Sequence, residues 1–148
     1  MGRSNISVKV DGGEGLIRKL EAMGKNVSDE LEPAALAGAG VIQIAANMRA
    51  PGPHVEMDVA ERGDRRVSVD IGPDEAHWYY RFFETGAGPH EITGSPLVFE
   101  GRSGTVVTRR VGHPGMAARP FLRPAFDGER RKAEGEVGDH LKKVVTRG

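Results

Sequence analysis

Histidines and carboxylates are the side chains of this sequence that could do chemistry. His54, His77, His90, His113 and His140 are the metal-binding candidates. A zinc site on one helix or knuckle sets its ligands at short, fixed spacings, and no two of these histidines have such spacing. His90 and His113 each flank a Pro/Gly-rich loop and could meet in space, although loop histidines bonded to backbone are the simpler reading. Asp74, Glu75 and Glu84 place carboxylates near His77 in sequence, but an acid–base pair needs convergence in a cleft. There is no nucleophile elbow and no phosphate loop, and Gly86-Ala87-Gly88 lacks the rest of a dinucleotide fingerprint. The expectation is therefore a protein without catalytic residues, cofactor or metal ligands. A metal-dependent hydrolase using His90, His113 and Glu84 is the minor alternative. Arg109, Arg110, Arg119 and Arg123 are better suited to partner contact, because a guanidinium pairs with carboxylates in a fixed fork.

The densest concentration of special residues runs from Gly112 to Asp127, with Pro114, Pro120 and Pro124, Arg119 and Arg123, and Phe121 and Phe126. Proline presets a helical φ and lacks an N–H, so Pro120 and Pro124 suit a helix start and not its interior. The aromatic anchors follow just inside that start. The segment reads as a stiff elbow that aims the last helix. Its interface candidates, together with the nearby pair Arg109 and Arg110, are Arg119, Pro120, Phe121, Arg123 and Phe126.

The 148 residues suit one domain, 1–148, with a modest core, since only 38% are hydrophobic and 21 are glycine. Basic and acidic residues balance at 21 each, which argues against a general nucleic-acid binder. The balance is uneven along the chain: from Ala118 to Gly148 eight basic residues stand against five acidic ones. Cysteine is absent, which excludes disulfides and thiolate metal sites. No apolar run approaches membrane-spanning length, and Met1-Gly-Arg-Ser-Asn5 has no leader-like apolar stretch. A soluble protein, made and used in a cytoplasm with no membrane partner, is expected.

Periodicity supplies the elements. Ile6, Val8 and Val10 alternate as a strand, and Leu16, Ile17, Leu20 and Met23 have helical spacing. A long amphipathic pattern from Val27 to Met48 follows, with Asn26 or Ser28 as its cap. Pro33 inside it predicts a kink or a true start near Glu32. Its Ala/Gly-rich middle, Ala34 to Gly40, is bland helix or a place for another backbone to approach. Val55–Val59 and Val67–Ile71 form a hairpin. His77 to Glu84 is a helical turn or a strand, and its aromatics are expected to build core. Residues 85–118 form a Gly/Pro-rich arm with a second hairpin over Leu97–Glu100 and Thr105–Val111, mobile before assembly. Leu122, Phe126, Ala133, Val137, Leu141 and Val144 stripe a final helix weakened by Gly128, Gly135 and Gly138. The fold class is α+β: a small antiparallel sheet against a long helix of the N-terminal half and a C-terminal helix.

Ala117-Ala118-Arg119-Pro120-Phe121-Leu122-Arg123-Pro124-Ala125-Phe126 resembles a signature near the end of small neck proteins of long-tailed bacteriophages, the tail-completion or head–tail joining proteins related to the minor tail protein Z group. Leu16–Leu20 with Asn26-Val27 resembles that family's first helices. Trp78 to Gly86 resembles its aromatic stretch ending in Glu-x-Gly. Gly88-Pro89-His90-Glu91-Ile92 and His113-Pro114-Gly115 resemble its two loop motifs. One departure is Ala50-Pro51-Gly52-Pro53-His54-Val55, where family members often read Ala-Pro, a basic residue, Thr-Gly and Leu. The resemblance implies a structural virion protein, assembled in the host cytoplasm and lodged in the neck. There it would join head connector to tail as a homo-oligomeric ring, usually six-fold, around the DNA channel. Implied neighbours are the stopper or adaptor proteins and the tail terminator or tail tube, with DNA passing transiently. A tail terminator capping the tube is the close alternative.

Overall fold

A computed structural model describes residues 5–101 and 104–147. The elements run β1 (Ile6–Asp11), α1 (Glu14–Ala22), α2 (Val27–Arg49), β2 (Val55–Arg62), β3 (Arg66–Pro73), a 3₁₀ segment (Glu75–Tyr80), α3 (Arg81–Thr85), β4 (His90–Gly101), β5 (Gly104–His113) and α4 (Leu122–Arg147). The expected α+β architecture is present. A three-stranded antiparallel sheet, ordered β1-β3-β2, packs on α2, which packs in turn on α4. Among the described residues β4 and β5 pair with each other as a separate two-stranded ribbon.

Strand alternation puts Val67, Val69 and Ile71 of the central strand into the core. Register sets Val10, Val8 and Ile6 beside them on one side and Val59 and Met57 on the other. Ser7 and Asp70 pair directly across the β1–β3 ladder, and so do Asp11 and Arg66. These are the cross-strand contacts that fix register.

The long helix starts at Val27 and not near Glu32. Asn26 Oδ1 accepts from the amides of Ser28 at 3.0 Å and Asp29 at 3.4 Å, so the cap outweighs the helix-breaking tendency of Pro33, which lies in the second turn. Six of the small residues of this helix are buried: Ala34, Ala35, Gly38, Ala39, Ala45 and Ala46. Gly38 lies directly against α4. A Cβ there would stand 2.5 Å from Val137 Cγ2 and 3.1 Å from the Ala133 carbonyl oxygen, whereas one on Gly40 would meet nothing within 4 Å. The backbone-approach reading of this stretch is therefore the right one at Gly38. Val137 is β-branched and stiff on its helix, and a carbonyl cannot step aside. Gly40→Ala is expected to stabilise the protein by up to about 1 kcal/mol through helix propensity alone. Gly38→Ala should instead lower the melting temperature, since overpacking costs about 1–3 kcal/mol. Thermal unfolding of the two variants side by side checks this opposite-sign pair.

Candidate assembly interface

The elbow is held by one carboxylate. Glu84, near the end of α3, accepts three backbone hydrogen bonds from the start of α4. The amides of Phe121 and Leu122 donate to Oε2 at 2.8 and 2.9 Å, and that of Arg123 donates to Oε1 at 2.9 Å. A helix leaves four N-terminal amides without intrahelical partners. Here three go to Glu84 and the fourth position is Pro124, which has no N–H. The first turn of α4 is thus fully satisfied, with a negative charge at the positive end of the helix dipole.

The chain leading into α4 is stitched to the same region. Arg119 N–H donates to the Phe83 carbonyl at 2.6 Å, and Ala87 and Met116 exchange backbone bonds of 2.9 and 2.8 Å. Two glycines permit this approach. Gly86 has φ +73° and Gly115 φ +80°. A Cβ on Gly86 would meet Ala118 N at 2.9 Å, and one on Gly115 would collide with the Ala87 carbonyl. The Glu-x-Gly piece and the His-Pro-Gly piece are therefore two halves of one clamp.

Within the clamp the elbow residues divide by side. Phe121 is fully buried and meets the Tyr80 ring edge-to-face, centroids 6.1 Å apart, with Leu122 and Ala125 buried beside it. Although it stands among the interface candidates from sequence, Phe121 belongs to the chain's own core. Phe126 is half-buried and lines a cleft of about 400 Å³ between β1 and α4, with Arg130 over its ring. Arg119, Pro120 and Arg123 face outward. Arg123 makes a solvent-exposed pair with Asp127 at 3.6 Å. Arg109 and Arg110 lie on β5, Arg110 opposite Thr93, but their side chains lie outside the described residues.

The aromatic stretch resolves into the 3₁₀ segment and α3, the helical of its two alternatives. Tyr80 is core and Phe83 packs against it, as expected of this stretch, while Trp78 and Tyr79 are exposed. The Arg81 guanidinium lies 5.5 Å from the Trp78 centroid and 4.8 Å from that of Phe82. In the ribbon, Val98 and Val107 face each other in register and are 62% and 63% exposed.

His90 and His113 do become register partners across β4 and β5; their side chains lie outside the described residues. Glu84, the carboxylate of that hydrolase alternative, has both oxygens engaged by helix amides, which gives it a structural task. A different cluster forms among the described residues: His54, Asp74 and His77. Asp74 Oδ1 lies 2.5 Å from His77 Nδ1, and Oδ2 lies 3.5 Å from His54 Nδ1. The two imidazoles stack at 3.5 Å with planes 8° apart. The bond with His77 holds the Asp74 carboxyl below the ordinary carboxylate range, against the opposing effect of burial. Asp74 beside His77 was legible as an i, i+3 pair, but nothing local in the sequence announces His54. Comparison with family models, with curated proteins and with solved structures finds no match for this chain.

Proposed function

We propose that this protein is a ring subunit of the neck of a long-tailed bacteriophage, joining the head connector to the tail. The observation that carries the reading is the two-sidedness of the elbow. The segment bearing the neck-protein resemblance fixes its anchors, Phe121 and Leu122, inside the subunit and turns Arg119, Pro120 and Arg123 outward. The clamp from Glu84 spends its hydrogen bonds on direction, which serves assembly better than catalysis. The ribbon adds a second unpaired surface, since a lone two-stranded hairpin is marginal in water and its Val98–Val107 pair has its apolar surface in solvent. A neighbouring copy would cover it. Balanced charge suits a channel wall that DNA passes without being retained.

Native mass measurement and electron microscopy of particles test the proposal. A ring of copies at the head–tail junction is the expected result; a strict monomer absent from mature particles would overturn it. Location at the tube end, away from the connector, would make the protein a tail terminator instead. Arg119→Glu and Arg123→Glu should shift the melting temperature by no more than about 2–4 °C, because both side chains are exposed and an exposed ion pair such as Arg123–Asp127 contributes only about 0–1 kcal/mol. Both should reduce ring formation in light scattering, and unchanged assembly would remove these arginines from the interface.

A further inference from the structure

We infer that His54, Asp74 and His77 form a binding site for one divalent transition-metal ion of the zinc class. Two imidazoles and one carboxylate are the donor set that such borderline ions take. One ligand atom from each residue already lies within 4.8 Å of the others. Donors on a single tetrahedral zinc, at bond lengths of about 2.0 Å, sit roughly 3.3 Å apart, so the donors are already at the scale of one coordination shell and loading needs their rings reoriented.

The backbone arranges the donors before any ion arrives. Val55, next to His54, is gripped by α2: its N–H donates to Asn47 Oδ1 at 2.9 Å, and its carbonyl accepts from Gln43 at 3.1 Å and Asn47 at 3.0 Å. Asp74 N–H donates to the His54 carbonyl at 2.8 Å. The Asp74 carboxylate in turn accepts from the His77 amide at 2.9 Å, starting the 3₁₀ segment. Each ligand's backbone is thereby fixed to the next, across three segments of the chain. The side chains are 23–39% exposed, which leaves an entry path and room for water in the remaining coordination positions. Parallel rings cannot both aim a lone pair at one ion, so loading splays the stack. The ion would then clip the loop after α2, the end of β3 and the 3₁₀ segment into one unit beneath Tyr80. Because Tyr80 packs on Phe121, that unit is the base of the elbow. The inference is independent of the protein's place in a virion.

The test uses the full chain, produced without a polyhistidine tag and stripped with chelator. Cobalt(II) is titrated with visible absorption as the readout, zinc(II) by calorimetry, and the melting temperature is followed in both. One ion per chain and a rise in melting temperature are expected, since an ion that binds only the folded state stabilises it. His54→Ala should keep the far-ultraviolet circular dichroism of the parent and weaken binding at least tenfold, roughly the lower end of what disturbed metal shells lose. His140→Ala, on α4, should bind as the parent does. The inference is overturned by absence of saturable one-to-one binding, by unchanged affinity in His54→Ala, or by equal loss in His140→Ala. In any of those cases Asp74 is a 3₁₀ cap and the histidines are merely its cover.

Discussion

Glu84→Ala should lower stability by about 3 kcal/mol, because it removes the side chain that caps α4 among the described residues and leaves three amides without that acceptor. A lost N-cap alone costs about 0.5–2 kcal/mol, and a carboxylate at a helix N-terminus contributes up to about 2 kcal/mol where partly buried. For a chain of this size 1 kcal/mol corresponds to roughly 2–4 °C, so the melting temperature should fall by about 6–12 °C. Glu84→Gln tests the chemistry: one amide oxygen can still serve Phe121 and Leu122, but its NH₂ would confront the Arg123 N–H, donor against donor. It should fall between the parent and Glu84→Ala. Glu84→Asp keeps the charge but shortens the reach by a methylene, and should resemble the alanine variant. A melting temperature within 1 °C of the parent in Glu84→Ala would show that water replaces the carboxylate at no cost.

What the sequence makes legible here follows from how far each cause acts along the chain. β1, the β2–β3 hairpin and the stripe of α4 declare themselves because alternation and helical spacing are local signals. The Asn26 cap is legible for the same reason, and it settles the start of α2 that Pro33 obscures. The second hairpin is longer than its apolar residues suggest. Gly94, Ser95 and Pro96 read as loop, yet they lie at the register shift between Thr93 and Leu97, a place where a ladder tolerates proline. Glu84 is 37 residues from Phe121. In sequence it is one carboxylate among several, open to acid–base chemistry, and only the fold shows its partners to be helix amides. His54 likewise stands apart from Asp74 and His77 until β2 and β3 pair. Phe121 could be placed as an anchor from its helix-start position, but whether it anchors the subunit or a neighbour depends on Tyr80, which arrives from another element.

That last point makes Phe121→Ala the second large effect. The side chain is fully buried and sits against Tyr80. Truncating a buried phenylalanine costs about 3–5 kcal/mol, the spread reflecting how far the site collapses. Against a total stability of about 5–15 kcal/mol for a domain, such a loss removes at least about a fifth of it. Phe121→Leu keeps most of the apolar volume and should lose less than half as much in urea unfolding. The two elbow variants should not add. Glu84 fixes the backbone of residue 121 while Phe121 fixes the same segment from its side chain, and sites sharing a segment show coupling of about 0.5–3 kcal/mol. The double variant Glu84→Ala/Phe121→Ala should therefore be more stable than the sum of the single losses predicts, because once either restraint is gone the other holds less. Strict additivity would mean that cap and anchor act on separate parts of the fold. The proposed assembly provides the second readout: on that proposal Phe121→Ala should lose ring formation together with stability, while Arg119→Glu should lose it with little change in melting temperature, which would separate a residue that aims the elbow from one that meets a neighbour.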